Sequence, residues 1–453
     1  MVNLQRSTQA VLSRCSALGP GRSSLVCKLG AGLLIALGSQ TSHAQDIALI
    51  LIDDVGIDRI AAYGEHPDPG NTPNIDGLAQ AGVMFRRAYA FSVCSPTRAA
   101  LLTGRLPHRT GIGSNISFDA TLGLGLSIDE CTIPDLLPPD YRAAAFGKWH
   151  LANEAEFPRH PFDLGFNHFS GTLGNLGSLH PLPPNAGYFA WMKSTMGHEQ
   201  LVYRYATNEL SRDVRRYLAA PRPPTFLWIA SHAAHGPLHA PPPNMHSFNL
   251  SGPPEDTPVA HGKAIIEALD TRIGTILQHL DADDWVIVMG DNGTSGVISD
   301  RPFPADHGKG TMYEGGIRVP LMIRGPGVQP GVCDSLVMAT DLYATIIELA
   351  GGVSSAEDSI SLVPYLGDPQ RPPLRDFAYS ERFTPTGPGP PDEWWQAIVG
   401  ERYKLIRHSA SADQFYDLHA DRFEQRDLIA RDEMGLHQRR AYQWLLAKLP
   451  YQF

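Results

Sequence analysis

The sequence lacks several features that mark particular classes of protein. After residue 44 it contains no apolar run long enough to cross a bilayer. It has no cluster of Lys and Arg, no acidic tail and no internal repeat, and its net charge is -10. A nucleic-acid partner is therefore not expected, because phosphate contacts require clustered positive charge. The composition, with 43% hydrophobic and 19% charged residues, predicts a large globular chain instead.

The first residues have the pattern of an export signal. Basic residues between Arg6 and Lys28 precede the apolar stretch Leu29 to Leu37, and Ser42-His43-Ala44 offers a cleavage site of small residues. We therefore predict that residues 1–44 are a signal peptide, that the mature chain begins near Gln45, and that the protein is exported to a periplasm or secreted. The alternative is an uncleaved membrane anchor, for which the apolar stretch is short.

Cysteine is scarce, with five residues in 453. Removal of the predicted signal would leave Cys94, Cys131 and Cys333. Cys131 and Cys333 could pair in an oxidising compartment, although a buried thiol at Cys131 is an equally good interpretation. The odd count makes Cys94 the candidate for chemistry.

Short apolar runs alternate with helical patterns, which predicts an α/β fold with a large, mostly parallel mixed sheet between layers of helices. Four of these runs end in polar residues. The four polar ends are Asp53-Asp54, Gly147-Lys148-Trp149-His150, Ser231-His232-Ala233-Ala234-His235 and Gly290-Asp291-Asn292-Gly293. Because open α/β sheets bind ligands at the carboxyl ends of their strands, we expect these polar groups to share one site.

A smaller unit is predicted at the C-terminus. Prolines interrupt the pattern between Gly367 and Leu374, so we divide the mature chain into a catalytic domain, 45–366, and a C-terminal subdomain, 367–453. Within the second unit, Trp395 to Val399 and Tyr403 to Arg407 predict a short antiparallel sheet, followed by a terminal helix.

The acidic strand ends predict a metal site. Asp53, Asp54, Asp291 and Asn292 offer three carboxylates and one amide, an all-oxygen set that suits one Ca²⁺ ion. Adjacent aspartates on a strand point to opposite faces, so a turn must bring both to one cation. The alternative is two unrelated acidic turns.

The run from Cys94 to Arg105, Cys-Ser-Pro-Thr-Arg-Ala-Ala-Leu-Leu-Thr-Gly-Arg, resembles the signature of type I sulfatases. These are formylglycine-dependent, arylsulfatase-like members of the alkaline phosphatase superfamily. Pro96 suits the first turn of a helix, so the motif predicts a strand-to-helix elbow with Cys94 at the positive end of the helix, where anions bind. Further segments resemble the family in the same order: Thr72-Pro73-Asn74-Ile75-Asp76, Gly147-Lys148-Trp149-His150 and Gly308-Lys309-Gly310-Thr311-Met312-Tyr313-Glu314-Gly315-Gly316.

The resemblance implies a role for each candidate residue. Cys94 would be oxidised to formylglycine by a maturation enzyme, and Arg98 would hold the ionised diol formed on hydration. Lys148 and Lys309 would clamp the sulfate, and His150 would bond to the diol. His235 would bind the substrate and protonate the leaving group, and Gly236-Pro237 favours it over His232 for that role. Asp53, Asp54, Asp291 and Asn292 would bind the Ca²⁺ ion.

The function that the resemblance implies is hydrolysis of a small-molecule or carbohydrate sulfate ester. One hydroxyl of the hydrated formylglycine would attack sulfur, and the other would then expel sulfate. Two alternatives remain at this stage. One is a phosphate or phosphonate ester hydrolase of the same superfamily, and the other is a catalytically inactive binding protein with a sulfatase fold.

Overall fold

The structure is a computed structural model that describes residues 45–116, 123–153, 157–176, 187–300, 302–354, 356–387 and 389–453. The predicted signal peptide, 1–44, lies outside the described residues. Within the described ranges, no helix combines the length and the apolar character that a bilayer crossing requires.

Eleven strands in the described part of the chain form one mixed sheet. In chain order they are β1 (Ile47–Ile52), β2 (Val83–Tyr89), β3 (Arg142–Lys148), β4 (His168–Thr172), β5 (Trp191–Thr195), β6 (His198–Val202), β7 (Thr225–Ala230), β8 (Trp285–Gly290), β9 (Arg318–Val319), β10 (Leu321–Arg324) and β11 (Gly331–Met338). Their spatial order is β11-β2-β10-β8-β1-β7-β3-β4-β5-β6, and β9 pairs with β2. The central strands β8, β1, β7, β3 and β4 are mutually parallel. The predicted mixed sheet with a parallel centre is confirmed.

Helices cover both faces of this sheet. In chain order they are α1 (Pro73–Ala81), α2 (Cys94–Thr103), α3 (Pro107–Thr110), α4 (Ile133–Leu136), α5 (His160–Asp163), α6 (Ala206–Leu218), α7 (Pro258–Leu277), α8 (Glu314–Ile317), α9 (Asp341–Leu349), α10 (Val363–Gly367) and α11 (Leu436–Ala447). Single 3₁₀ turns lie at Ile57–Arg59, Ala61–Tyr63, Pro243–Met245 and Ala305–His307.

Strand β1 shows how the layers form. All six of its residues are buried, as expected for a parallel strand with helices on both sides. Leu49 and Leu51 belong to the core that contains Leu101 of α2 and Leu342 of α9. The alternate residues of β1, such as Ile50, belong to the core on the other face, together with apolar residues of α7. The continuous apolar sequence of β1 therefore follows from its position between two cores.

The C-terminal part contains a second, four-stranded sheet. Its antiparallel strands are β12 (Ala378–Thr384), β13 (Glu393–Val399), β14 (Tyr403–His408) and β15 (Ser411–Asp417), in that spatial order. The two predicted strands lie within β13 and β14, and the predicted terminal helix is α11. Leu445 of α11 packs in one core with Leu405 and Phe415 of this sheet. The boundary after residue 366 remains a prediction.

The fold decides whether Cys131 and Cys333 form the disulfide that the sequence allows. Cys333 lies on β11 opposite Phe85 of β2 and is a buried free thiol. The disulfide between Cys131 and Cys333 is therefore not formed.

Candidate active site

The candidate residues meet because four central strands end at the same edge. The parallel strands β8, β1, β7 and β3 are neighbours, in that order. In their register, Ile52 lies beside Gly290, Leu51 beside Ala230, and Ala230 beside Gly147. The polar residues that follow these strands are consequently delivered to one place, as the sequence pattern predicts.

The turn after β1 brings two adjacent carboxylates to the same side. Asp54 has a φ of 60°, in the left-handed region that is uncommon for non-glycine residues but is tolerated by aspartate. Asp53 Oδ1 then lies 3.3 Å from Cys94 Sγ, and Asp54 Oδ1 lies 3.9 Å from the same sulfur atom. The expected turn is therefore present, and it uses a strained backbone conformation to bring both carboxylates to one point.

Asp291 and Asn292, which follow β8, complete the acidic side. Asp291 Oδ2 accepts hydrogen bonds from Arg98 Nη2 at 2.7 Å and from Arg98 Nε at 3.1 Å. Asn292 Nδ2 donates to Asp54 Oδ1 at 2.9 Å. All of these side chains are buried. The fold thus unites the four predicted metal ligands.

Two lysines approach the same carboxylates from different segments. Lys148, at the end of β3, places Nζ 2.5 Å from Asp53 Oδ2 and 3.4 Å from Cys94 Sγ. Lys309 Nζ lies 2.5 Å from Asp54 Oδ1 and 3.6 Å from Cys94 Sγ. Burial by itself would raise the pKa of Asp53, but Lys148 and the other nearby cations hold it well below its usual range.

Glycine permits the close approach of β3. Gly147 has a φ of 84°, and a Cβ atom at this position would lie 1.9 Å from the carbonyl oxygen of Ala230 on β7. Only glycine can occupy this position without moving the backbone. Gly147 therefore lets the strand carry Lys148 directly to the site.

The donor set fits a hard cation. One ligand atom each from Asp53, Asp54, Asp291 and Cys94 lie within 4.8 Å of one another. Asn292 Oδ1 is buried and has no hydrogen-bond partner among the described residues, so it is an amide oxygen that a cation could use. Burial, and after it repulsion from the neighbouring Asp53, raise the pKa of Asp291 to about 6. A divalent cation would relieve this repulsion.

Cys94 occupies the first turn of α2, as the elbow prediction requires. Val93, before it, is extended, and Pro96 lies in the same first turn. The side chain of Cys94 has no exposed surface. Burial, together with Asp291 and Asp53, raises the pKa of the thiol far above its usual value. Unmodified Cys94 is therefore a protonated thiol and a poor nucleophile.

Three histidines lie around the site in different states. His150 has a φ of 60°, and its Nε2 donates to the carbonyl of Ile116 at 2.8 Å, because a carbonyl can only accept. Its Nδ1 is buried without a hydrogen-bond partner among the described residues. Burial, followed by Lys148 and Arg98, holds the pKa of His150 well below its usual range. His150 is therefore a neutral ring with an available acceptor atom.

His235 and His232 follow β7. His235 is partly exposed, and its Nδ1 lies 2.9 Å from the carbonyl oxygen of Gly236. His232 is buried, its Nε2 lies 2.7 Å from Thr172 Oγ1, and burial lowers its pKa to about 3. The geometry favours His235 over His232 for contact with a ligand, in line with the sequence argument.

Sequence reasoning missed the groups that hold these histidines. The hydroxyl of Tyr188 lies 2.7 Å from the carbonyl oxygen of His235 and also contacts that of His232. Thr172, at the end of β4, bonds to the His232 ring. No sequence signal could have identified these contacts, because the tyrosine bonds to backbone atoms of a distant segment.

The chain is similar to known proteins of one enzyme family. The Sulfatase family model matches residues 45–353, and the model of the N-sulphoglucosamine sulphohydrolase C-terminal region matches residues 306–447. Arylsulfatase A of Bos taurus is 32% identical over 77% of this chain and 73% of its own length. N-acetylgalactosamine-6-sulfatase of Homo sapiens is 31% identical over 71% of this chain and 65% of its own length.

A solved structure extends the similarity to the fold. Ps i-CgsB in complex with k-i-k-neocarrahexaose superposes with a TM-score of 0.71 and 26% identity, over 89% of this chain and 93% of that chain. Since the family model covers more than half of the sequence, the chain belongs to the sulfatase family and hydrolyses sulfuric esters.

Proposed function

We propose that this protein is a calcium-dependent sulfatase whose nucleophile is a formylglycine made from Cys94 by a maturation enzyme. The observation that carries the proposal is the meeting of Arg98, Lys148 and Lys309 with three carboxylates around the sulfur of Cys94. Such a site offers cations for a sulfate group and oxygens for a metal ion. The residue at its centre lies at the N-terminus of a helix, which also favours an anion.

Asp53, Asp54, Asp291 and Asn292 would hold one Ca²⁺ ion. The proposal is supported by the partner-free Asn292 Oδ1 and by the crowding of buried carboxylates. When bound, the ion would supply positive charge for the sulfuryl oxygens. Arg98 remains bonded to Asp291 and to the carbonyl of Lys148, so it fixes the ligand set to the end of β3.

Formylglycine at position 94 would supply, as its hydrate, a hydroxyl nucleophile and a second hydroxyl that permits release of sulfate. Lys148 and Lys309 would bind the sulfate oxygens, because both ammonium groups lie within 3.6 Å of the sulfur of Cys94. His150 Nδ1 would accept a hydrogen bond from a hydroxyl at this position. Arg98 would stabilise that hydroxyl when it ionises.

His235 would protonate the departing oxygen. Its Nδ1 faces the carbonyl of Gly236, so Nε2 is the atom that would hold the transferable proton. Burial, followed by Lys148, lowers the pKa of His235, so the free ring is neutral, and the imidazolium that donates the proton would form beside the negative charge of a bound sulfate ester. The ring is partly exposed, as a group that meets the leaving alcohol must be.

The surroundings of His235 favour a substrate that contains a ring. Tyr188 stacks on His239 with 3.9 Å between ring centroids, and Phe189 stacks on Tyr205 with 5.1 Å between centroids. Phe189 is 44% exposed, so an aromatic face is available next to Tyr188, whose hydroxyl contacts the carbonyl oxygen of His235. A sugar sulfate is further supported by the similarity to an enzyme named N-acetylgalactosamine-6-sulfatase.

We also propose that residues 1–44 direct export and that 45–366 and 367–453 are the two structural units.

Sulfate release by variants tests the nucleophile. We expect Cys94→Ala to reduce turnover of an aryl or sugar sulfate by about 10⁴-fold or more, because no replacement nucleophile is present. Cys333→Ala is the matched control, since it removes the other buried free thiol among the described residues and leaves the site intact. Mass spectrometry of the Cys94 peptide should show the mass of formylglycine. Equal turnover by Cys94→Ala and wild type, or an unmodified thiol in active protein, would contradict the proposal.

A further inference from the structure

A cleft separate from the active site lies where the C-terminal sheet meets the β11–β2 edge of the main sheet. Its volume is about 1240 Å³, and its walls come from β2, β11, the turn between β13 and β14, and α11. Seven arginines and four carboxylates line it. The whole chain has 47 acidic against 37 basic residues, so the cleft reverses the sign of the molecule's overall charge. This local excess of arginine cannot be explained by composition.

Three of these arginines are open to a ligand. The side chains of Arg86, Arg402 and Arg422 are between 46% and 53% exposed, although they come from separate parts of the chain. Each pairs with a single carboxylate: Arg86 with Asp334, Arg402 with Asp417, and Arg422 with Glu65. A guanidinium group has five N–H donors, so each retains donors for a second anion.

The deeper arginines differ in how far carboxylates compensate their charge, and Arg318 is paired with Glu65 at 3.1 Å. Arg371 Nε is buried without a hydrogen-bond partner among the described residues. Arg318 is nearly buried and donates through Nε to the carbonyl of Arg86. The lining carboxylate Glu314 is already bonded to Lys404 at 3.0 Å and to Tyr89 at 3.1 Å. Among the described residues, no carboxylate pairs with Arg371 or with the lining residue Arg87, so these two arginines supply the uncompensated positive charge of the cleft.

The remaining surface of the cleft is suited to rings. Trp444 of α11 is 42% exposed and lines the cleft together with Tyr403 and two prolines, Pro369 and Pro373. A sulfated sugar presents an apolar ring face and charged edges, and so requires both kinds of contact. Arginine matches the oxygens of such an anion with two parallel hydrogen bonds. The concave shape suits a chain better than a flat bilayer.

We propose that this cleft binds a polysulfated carbohydrate chain and acts as an anchoring site apart from the active site. The inference rests on the proposed function only for the class of substrate, a sulfated sugar. The segment from Lys309 to Glu314 joins the two sites, because Lys309 contributes to the active site and Glu314 lines the cleft. A polymer held in the cleft would remain close to the active site between turnovers, which raises its effective concentration.

A triple variant tests the anchor. Arg86→Gln, Arg402→Gln and Arg422→Gln are combined in the Cys94→Ala background, and binding of heparin and of dextran sulfate is measured by calorimetry over a range of salt concentrations. We expect binding to be about tenfold weaker or more and its salt dependence to be shallower, because three cationic contacts are lost. The matched control combines Arg142→Gln, Arg426→Gln and Arg439→Gln, which removes the same charge from exposed positions outside the cleft. The control should bind within about twofold of wild type.

Further measurements separate the anchor from the chemistry. With Cys94 intact, the cleft variant should hydrolyse a small aryl sulfate at the wild-type rate and a sulfated polysaccharide more slowly. Equal binding of both polymers by cleft variant and wild type would overturn the proposal, as would tighter binding of RNA or of anionic vesicles than of either polymer. If wild type hydrolyses no sulfate ester, the proposed function fails, while the binding comparison still decides the anchor. Thermal melting confirms that each variant is folded.

Discussion

Two clusters of buried charged residues in this protein both contain carboxylates that repel one another. They differ in the groups that would relieve this repulsion. The catalytic cluster consists of Asp53, Asp54, Asp291, Arg98, Lys148 and Lys309. The clamp cluster consists of Glu314, Lys404 and Glu424, where Lys404 Nζ lies 3.0 Å from one glutamate and 2.8 Å from the other. In each cluster, crowded carboxylates surround lysine. In each, one carboxyl has a lowered pKa and another has a raised pKa.

The difference lies in the groups around the carboxylates. In the catalytic cluster, Asn292 Oδ1 and His150 Nδ1 are buried without a hydrogen-bond partner among the described residues, so polar atoms are available for a ligand. In the clamp cluster, Glu314 bonds to Lys404 and to Tyr89, and Glu424 Oε2 accepts from the backbone N–H of Glu314. Glu424 Oε1 has no hydrogen bond, but the ammonium group of Lys404 lies 2.8 Å from it and compensates its charge. A divalent cation would relieve the repulsion in the first cluster, and a proton relieves it in the second. Buried ion pairs can therefore serve binding or architecture, and their unpartnered neighbours distinguish the two.

Among substitutions within the two clusters, the largest expected effect comes from Asp54→Asn. Asparagine tolerates the left-handed backbone of this position, so the substitution removes charge without adding strain. We expect turnover to fall by about 1000-fold or more, roughly 4 kcal/mol in activation free energy, because one carboxylate of the proposed metal site is lost.

Calorimetry with added Ca²⁺ measures the same variant without relying on activity. Wild-type protein should be stabilised by about 2.7 kcal/mol when Ca²⁺ is at a hundred times its Kd, and Asp54→Asn should lose most of this gain. Glu424→Gln is the control, because it makes the same acid-to-amide change in the clamp cluster and should retain the response. If Ca²⁺ stabilised Asp54→Asn as much as wild type, the catalytic cluster would not be the metal site that distinguishes it from the clamp cluster.

The second effect is on stability rather than turnover. Lys404→Met leaves Glu314 and Glu424 buried without their ammonium partner, so we expect the free energy of unfolding to fall by about 3 kcal/mol at neutral pH. Urea unfolding measures this change. Turnover per folded molecule should remain close to wild type, and a large loss of turnover in fully folded protein would show that the clamp cluster takes part in catalysis.

The smallest effect is a change in pH dependence. Burial of Glu424, opposed by Lys404 and reinforced by Glu314, raises its pKa from 4.5 to about 7. An acid with a raised pKa in the folded state stabilises the fold while protonated, so its contribution is complete below pH 4.5 and is lost as the pH rises through about 7. From pH 4.5 to pH 7, the free energy of unfolding of wild type should therefore fall by roughly 2.5 kcal/mol more than that of Glu424→Gln. Urea unfolding at several pH values checks this, and parallel curves for the two proteins would contradict it.

The catalytic cluster could be predicted from the sequence because its members directly follow apolar strands. Asp53, Lys148 and Asp291 each lie at a strand end or directly after one, and the parallel arrangement of those strands brings the three side chains together. The left-handed conformations of Asp54 and His150 could not be predicted, since they depend on tertiary contacts that outweigh the local preference for φ below zero.

The clamp cluster and the arginine cleft could not be predicted, because no short sequence pattern marks their residues. Glu314 is 90 residues from Lys404 and 110 residues from Glu424 along the chain, so no spacing rule connects them. The cleft collects Arg86, Arg402 and Arg422 from segments that are far apart along the chain. The sequence-based statement that basic residues are not clustered holds along the chain but not in the folded surface.

The complete burial of Cys94 has a consequence for the order in which the chain is modified and folds. A thiol with no exposed surface is out of reach of another enzyme's catalytic groups once α2 has packed into the core. If Cys94 is to become formylglycine, the modification has to reach a chain that has not yet folded, and so it competes in time with folding itself. Faster folding would then yield a larger share of stable but inactive molecules.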